Sequence, residues 1–167
     1  MRFTLLDRIV ELEPGVRIKA VKNLSMAEEY LADHFPHFPV MPGVLMLEAM
    51  TQAGAWLVRA TEGFAHSMVV LREASNLRFG QFLEPGQTMT VTAEIAAHDE
   101  AFTKLKAMGE VDGRTTVSAR LVLARYNLVD LHPEYAATDL SMLSDLKDLF
   151  VTLHAPTRTS AASATHD

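Results

Sequence analysis

Four residues in a short stretch of the chain have the types and the spacing needed to move protons around a carbonyl group. His34 stands in a proline-stiffened loop, where a neutral imidazole could accept a proton. Glu48 follows in an apolar stretch, where burial would disfavour the ionised carboxylate and make the group a candidate proton donor. Gly43 begins that stretch, and free N–H groups at a helix start could polarise a carbonyl. Gln52 lies one turn after Glu48, within reach of it or of a ligand.

This set of groups suits a reaction that takes a proton from one carbon and gives a proton to a leaving hydroxyl beside an activated carbonyl. Each residue also has an ordinary structural explanation. His34 could be a structural loop histidine, and Glu48 could pair with Arg59. His34 and His37 beside Asp33 offer too few ligands in too irregular a loop for a metal, so we expect neither a metal nor another cofactor.

The element that carries Glu48 is predicted to be a long buried helix. Residues 44–61 contain no proline, are apolar on nearly every side, and carry only Glu48 and Arg59 as charges. A helix without a polar face must be enclosed by other elements. Alternating patterns predict strands that could enclose it at 16–22, 67–79, 88–95, 102–111 and 115–126. With Asp112-Gly113 as a hairpin turn, we predict an α+β fold in which an antiparallel sheet wraps around one long hydrophobic helix.

Two further helices are predicted at the ends of the chain. Apolar residues at positions 5, 6, 9 and 10 have helical spacing and predict a short N-terminal helix that ends at Pro14-Gly15. Residues 140–153 predict a C-terminal amphipathic helix. Its buried side would consist of Leu140, Leu143, Leu146, Phe150 and Leu153. We expect a single domain over 1–138, a helix at 139–153 packed on or near it, and a disordered tail at 154–167.

The composition is that of an ordinary globular domain, with 167 residues, 49% hydrophobic residues and a net charge of −6. The absence of cysteine excludes disulfides, a thiol nucleophile and cysteine-bound metals, and it fits a reducing compartment, so we expect a cytoplasmic protein. The acidic balance argues against a nucleic-acid partner. The longest uncharged stretch, 34–47, contains three prolines and is too short to span a membrane.

The stretch 34–52 resembles the signature of the 3-hydroxyacyl-[acyl-carrier-protein] dehydratases of the FabZ type, roughly H-F-P-G-x-P-V-M-P-G-V-L-x-x-E-A-M-x-Q. The chain matches it as H-F-P at 34–36, P-V-M-P-G-V-L at 39–45, E-A-M at 48–50 and Q at 52. Similarity extends to the N-terminal L-L-D-R-I-V-E-L-E-P-G and to N-L-R-F-G-Q-F-L-E-P-G-Q at 76–87. The resemblance covers about residues 1–126.

The resemblance implies a hotdog fold and a homodimer with joined sheets, often assembled further into hexamers. The active site would lie at the dimer interface, with His34 of one subunit facing Glu48 of the other. The substrate would be a 3-hydroxyacyl chain on the phosphopantetheine of acyl carrier protein. His34 would remove the C2 proton, Glu48 would protonate the departing C3 hydroxyl, and the Gly43 N–H would hold the thioester carbonyl. Glu48 favours this type over the related FabA isomerases, which carry Asp there.

Further residues are candidates for substrate binding, and three positions depart from the family pattern. Gln52 could contact substrate or only pack within its helix, and Phe79 and Phe82 could line an acyl tunnel or fill the core. His37 replaces the usual glycine and is a candidate pocket residue. Gly80 and Gln81 replace the usual basic residues.

Two alternative functions stay open. One is a hotdog thioesterase or isomerase that uses the same pocket. The other is a non-catalytic acyl-binding subunit of a dehydratase hetero-oligomer, motivated by His37 and by the missing basic residues.

Overall fold

The computed structural model describes residues 3–35 and 37–155 and consists of one antiparallel sheet and two α-helices. The strands are β1 (Arg8–Glu13), β2 (Arg17–Asn23), β3 (Met68–Phe79), β4 (Thr88–His98), β5 (Phe102–Val111) and β6 (Arg114–Tyr126). The helices are α1 (Gly43–Thr61) and α2 (Ala136–Leu153). Short 3₁₀ turns occupy Glu29–Leu31, Leu128–Asp130 and Pro133–Tyr135.

The sheet has the strand order β1-β2-β4-β5-β6-β3 and wraps around α1, which contacts β2 through β6. Ala49, Met50, Ala53 and Leu57 of α1 are fully enclosed. Gly54 allows the closest approach, because a Cβ there would lie 2.5 Å from the Leu105 side chain. The α+β fold predicted from the alternating patterns is therefore confirmed, and its arrangement is that of a hotdog fold.

The turns follow the local chemistry of the sequence. Asp112 and Gly113 both have positive φ, of 51° and 74°, as a two-residue turn that matches the strand twist requires. At the end of β3, the Gly80 amide bonds to the Thr116 carbonyl oxygen at 2.8 Å. A Cβ on Gly80 would collide with the Thr115 carbonyl oxygen, so no larger residue fits at this position unless the backbone shifts.

The predicted N-terminal helix is wrong, because this segment forms β1 and pairs with β2 in an antiparallel hairpin. Pro14 and Gly15 lie in the connecting turn, where Gly15 has a φ of 81°. Leu5, Leu6 and Ile9 are nevertheless buried. Their spacing is compatible with either structure over so short a segment, and pairing with β2 satisfies the backbone hydrogen bonds that a short helix would leave open at its ends.

The C-terminal helix is confirmed, but α2 begins earlier than predicted and one residue of its buried side is wrong. Leu140 is 71% exposed, whereas Asp139 before it points inward. The Asp139 carboxylate accepts hydrogen bonds from the Ser67 hydroxyl and from the amides of Leu128 and Val129, at 3.1 and 2.8 Å for the amides. Burial alone would raise the pKa of Asp139, but these hydrogen bonds outweigh it and lower that pKa.

Near its C-terminal end, α2 packs through Phe150 on Trp56 of α1 and on Phe64, which follows α1. The Phe150 ring lies 5.9 Å from the ring of Trp56 and 5.3 Å from that of Phe64. Leu153 is buried in the same core. Most of the predicted tail, residues 156–167, lies outside the described residues.

The edges of the sheet are β1 and β3. Strand β3 pairs with β6 on one side, and most of its second half, from Arg72 to Phe79, is exposed. Its other edge therefore offers unpaired backbone groups to a further strand. Neither helix in the described part of the chain is long and apolar enough to cross a membrane.

Candidate active site

The loop before α1 is held at both of its ends. The His34 amide donates to the Tyr30 carbonyl oxygen at 3.1 Å, and the Met41 amide donates to the Leu83 carbonyl oxygen at 2.9 Å. Met41 is buried at the second of these anchors. Between them, Phe35 has a φ of 55°, a conformation that is rare for an aromatic residue and that recurs at functional sites. His34 is half-buried in this loop, and its ring lies 4.3 Å from that of Phe35.

The start of α1 presents backbone N–H groups without a capping side chain. Pro42 is the N-cap residue and supplies no side-chain hydrogen bond. Since the first amides of a helix lack intrahelical acceptors, those of Gly43 and Val44 are available to an oxyanion. The Phe79 ring lies over Gly43, where a Cβ would come within 2.7 Å of it, so these two predicted site residues are in contact.

Glu48 and Gln52 form the second predicted pair, one turn apart on α1. The Gln52 amide group donates to the Glu48 carboxylate at 2.9 Å and to the Phe3 carbonyl oxygen at 3.1 Å. Its own oxygen accepts from the Leu5 amide at 2.9 Å. Gln52 therefore ties the Glu48 carboxylate to the N-terminal segment. Among the described residues, no salt bridge joins Glu48 to Arg59, whose guanidinium group lies over the Trp56 ring instead.

A groove of about 410 Å³ opens beside Glu48. It lies between α1, α2, the start of β3 and the N-terminal segment. Its walls include Glu48, Gln52 and Arg59 of α1 and Met142, Leu146 and Leu149 of α2. This volume falls in the range of small-molecule sites, and its mixture of apolar walls with few polar groups is typical of them. Glu48 is half-buried in it, so its carboxyl group can reach a ligand.

The remaining predicted site residues lie outside this groove. Within the part of the chain that the structure describes, no hydrogen bond joins His34 to Glu48. Phe82 is 60% exposed, and its ring contacts the exposed Phe38 ring edge-on, with 5.3 Å between the ring centres. His37, which precedes Phe38 in the chain, is also exposed. A single chain thus brings together Glu48 with Gln52 and Gly43 with Phe79, but it leaves His34 and His37 apart from the groove.

Arg59 and the residues of α2 that line the groove were not predicted to be site residues. Arg59 lies on the same face of α1 as Glu48 and Gln52, and this periodicity is visible in the sequence. The contribution of α2 has no such signal, because it depends on how a distant helix packs.

Comparison with known proteins identifies the family. A family model described as the FabA-like domain matches residues 1–120. A FabZ 3-hydroxyacyl-[acyl-carrier-protein] dehydratase of Aromatoleum aromaticum is 39% identical over 125 residues, which cover 73% of this chain and 86% of the relative. The corresponding protein of Ruminiclostridium cellulolyticum is 36% identical over 122 residues, with the same two coverages.

Solved structures agree in fold. The dehydratase heterocomplex ApeI:P of Xenorhabdus doucetiae superposes with a TM-score of 0.65 at 18% identity, over 80% of this chain and 90% of that chain. The PaaI protein of the E. coli phenylacetic acid degradation operon gives a TM-score of 0.55 at 15% identity, over 71% and 82% of the two chains. The matches in sequence extend over most of the chain and include the loop and helix that hold His34, Gly43 and Glu48, and the chain therefore belongs to the FabA-like family, in its FabZ type.

Proposed function

We propose that the protein dehydrates 3-hydroxyacyl chains carried on acyl carrier protein to trans-2-enoyl chains, in fatty-acid or related acyl-chain biosynthesis. The observation that carries the proposal is the Glu48 carboxyl group, held by Gln52 at the mouth of a mostly apolar groove. Family membership supports the same reaction. A cytoplasmic location, expected from the composition, is part of the proposal.

Each step of the reaction has a group to perform it. The imidazole of His34 accepts the C2 proton, and the resulting negative charge moves onto the thioester oxygen. The Gly43 amide, at the positive end of α1, donates a hydrogen bond to that oxygen. Glu48 protonates the C3 hydroxyl as its C–O bond breaks, so that water leaves and the C2–C3 double bond forms. Gln52 acts as a positioning residue that keeps the Glu48 carboxyl in place.

The separation of His34 from Glu48 within one chain supports a homodimer in which His34 of each subunit faces the partner's groove. Two surfaces favour such an assembly. The free edge of β3 can pair with a second copy of itself, and joining two edges removes both from solvent. Phe35, Phe38, Phe79 and Phe82 are exposed around the site loop and α1, and a patch of exposed apolar side chains is typical of an interface. Light scattering would show a dimer, or a hexamer built from three dimers.

Spectrophotometry tests the reaction directly. Purified protein given 3-hydroxyacyl-acyl carrier protein should generate the absorbance of a 2-enoyl thioester. His34→Ala and Glu48→Gln should each lower kcat by at least about a hundredfold, since general acid–base groups contribute that much or more. Both variants should keep the thermal stability of the wild type.

Matched controls come from the turn before α2. His132→Ala and Glu134→Gln make the same chemical changes at exposed positions outside the groove and should leave turnover unchanged. Normal turnover in His34→Ala and Glu48→Gln would refute the mechanism. Release of free thiol without enoyl product would identify a thioesterase instead.

A further inference from the structure

The face of α1 that begins at Glu48 continues along the floor of the groove to a second charged residue. Arg59 follows Glu48 by three helical turns, about 16 Å along the axis at ~1.5 Å per residue, and returns to the same side of the helix. Both residues line the groove, with Gln52 and Ala55 between them. The groove therefore has a carboxyl group towards one end and a guanidinium group towards the other.

The Arg59 side chain is largely buried, and no carboxylate pairs with its guanidinium group among the residues that the structure describes. Its Nε is enclosed and has no hydrogen-bond partner, and its described contact is with the Trp56 ring, 5.3 Å from the guanidinium carbon. Burial lowers the pKa of Arg59 to about 10. Leaving a charged donor unpaired is costly, and proteins normally satisfy such a group with an acceptor. The missing acceptor points to a ligand.

Helix α2 covers the end of the groove where Arg59 lies. This helix lies beyond residues 1–120, the part of the chain matched by the family model. Met142, Leu146 and Leu149 supply its apolar wall, and Asp145 lies there as well. Asp145 is engaged in an interaction of its own. The extension thus encloses the stretch that an acyl chain would occupy between Glu48 and Arg59.

We propose that Arg59 binds a carboxylate at the far end of the substrate, so that the enzyme prefers 3-hydroxyacyl chains whose terminal carbon is a carboxylate. This inference rests on the proposed function, since it assumes that C3 of the substrate lies at Glu48. A guanidinium group presents its donors in a planar fork that matches a carboxylate, and the apolar walls between the two ends match the methylene chain. A chain of the right length neutralises Arg59, whereas a methyl-ended chain leaves it unpaired.

Paired substrates of increasing length test this preference. Each acyl-carrier-protein thioester is prepared with a methyl end and with a terminal carboxylate, and kcat/KM is measured for both. The preference for the carboxylate should appear only when the chain is long enough to reach Arg59. It should then amount to about ten- to a hundredfold, as expected for a charge-assisted hydrogen bond.

Arg59→Met keeps the length of the side chain and removes its charge, so it should abolish or reverse the preference, while Arg59→Lys should keep part of it. Arg114→Met makes the same change at the exposed β5–β6 hairpin and should leave the preference intact. Equal kcat/KM for both chain ends at every length, or a preference that survives in Arg59→Met, would overturn the inference.

A short substrate separates this test from the proposed function. The 3-hydroxybutanoyl chain cannot reach Arg59, so its turnover by the wild type reports dehydration alone. Turnover of this substrate without a carboxylate preference on long chains refutes only the role of Arg59. Absence of turnover with every substrate refutes the proposed function as well.

Discussion

Leucine has about the same size as Gln52 but cannot form hydrogen bonds. The change Gln52→Leu therefore removes the three hydrogen bonds of this side chain. The exposed Phe3 carbonyl can bond to water instead, but the amide of the buried Leu5 loses its acceptor. An unsatisfied buried donor costs about 1–3 kcal/mol, so we expect a loss of about 2 kcal/mol in the free energy of unfolding. For a domain of this size that corresponds to a drop of about 4–8 °C in Tm. Because Glu48 also loses its partner, kcat should fall.

Thr51→Val provides the matched control for this change. Thr51 precedes Gln52 on α1, is buried, and donates its hydroxyl only to the Leu47 carbonyl oxygen of the same helix, at 3.0 Å. Its loss should cost less than about 1.5 kcal/mol. Differential scanning calorimetry of both variants, with kcat on the same samples, makes the comparison. If Gln52→Leu is no less stable than Thr51→Val and keeps normal kcat, the hydrogen bond from Gln52 does not position Glu48.

Two further predictions concern the extension and the end of β3. Because the folded-state pKa of Asp139 lies below its usual value of 3.8, its carboxylate stabilises the docking of α2 at higher pH, and this contribution is lost as the pH falls through the folded-state pKa. Trp56 is the single tryptophan and contacts α2, so its fluorescence should report a loosening of α2 in acid. The variant Asp139→Asn should show the same loosening at neutral pH. An unchanged fluorescence spectrum in this variant would contradict the prediction. Gly80→Ala should lower the free energy of unfolding, measured by urea titration, by about 1–3 kcal/mol, because the added methyl group collides with a backbone carbonyl oxygen. A stability equal to that of the wild type would show that the backbone at the end of β3 moves aside at no cost.

The sheet and its central helix could be predicted from the sequence because their signals are local. Alternation places Met89, Val91, Ala93 and Ile95 of β4 on one face. In the structure the first three are fully buried and Ile95 is partly buried. The Asp112-Gly113 pair specifies a hairpin through its positive φ values, whatever surrounds it. Such features need only the neighbouring residues, so a pattern is sufficient to find them.

The errors arise where distant residues decide the outcome. The N-terminal segment becomes a strand because β2 offers it an edge, which its own four apolar residues do not reveal. The face that α2 presents to the core depends on Asp139, whose partner Ser67 lies far away in sequence. The pairing of Glu48 with Gln52 was predictable because the two residues are one helical turn apart. The groove was not predictable, because it is closed by α2, which is distant in sequence.

The attachment of α2 has a consequence for how this enzyme can diversify. The helix is joined to the core by the contacts of Asp139 and by side-chain packing, and it takes no place in the hydrogen-bonded ladder of the sheet. Substitutions along its inner surface can therefore reshape the cavity without disturbing strand pairing or the residues around Glu48. Substitutions in such a C-terminal helix can change the substrate preference of the enzyme during evolution without changing the reaction that it catalyses.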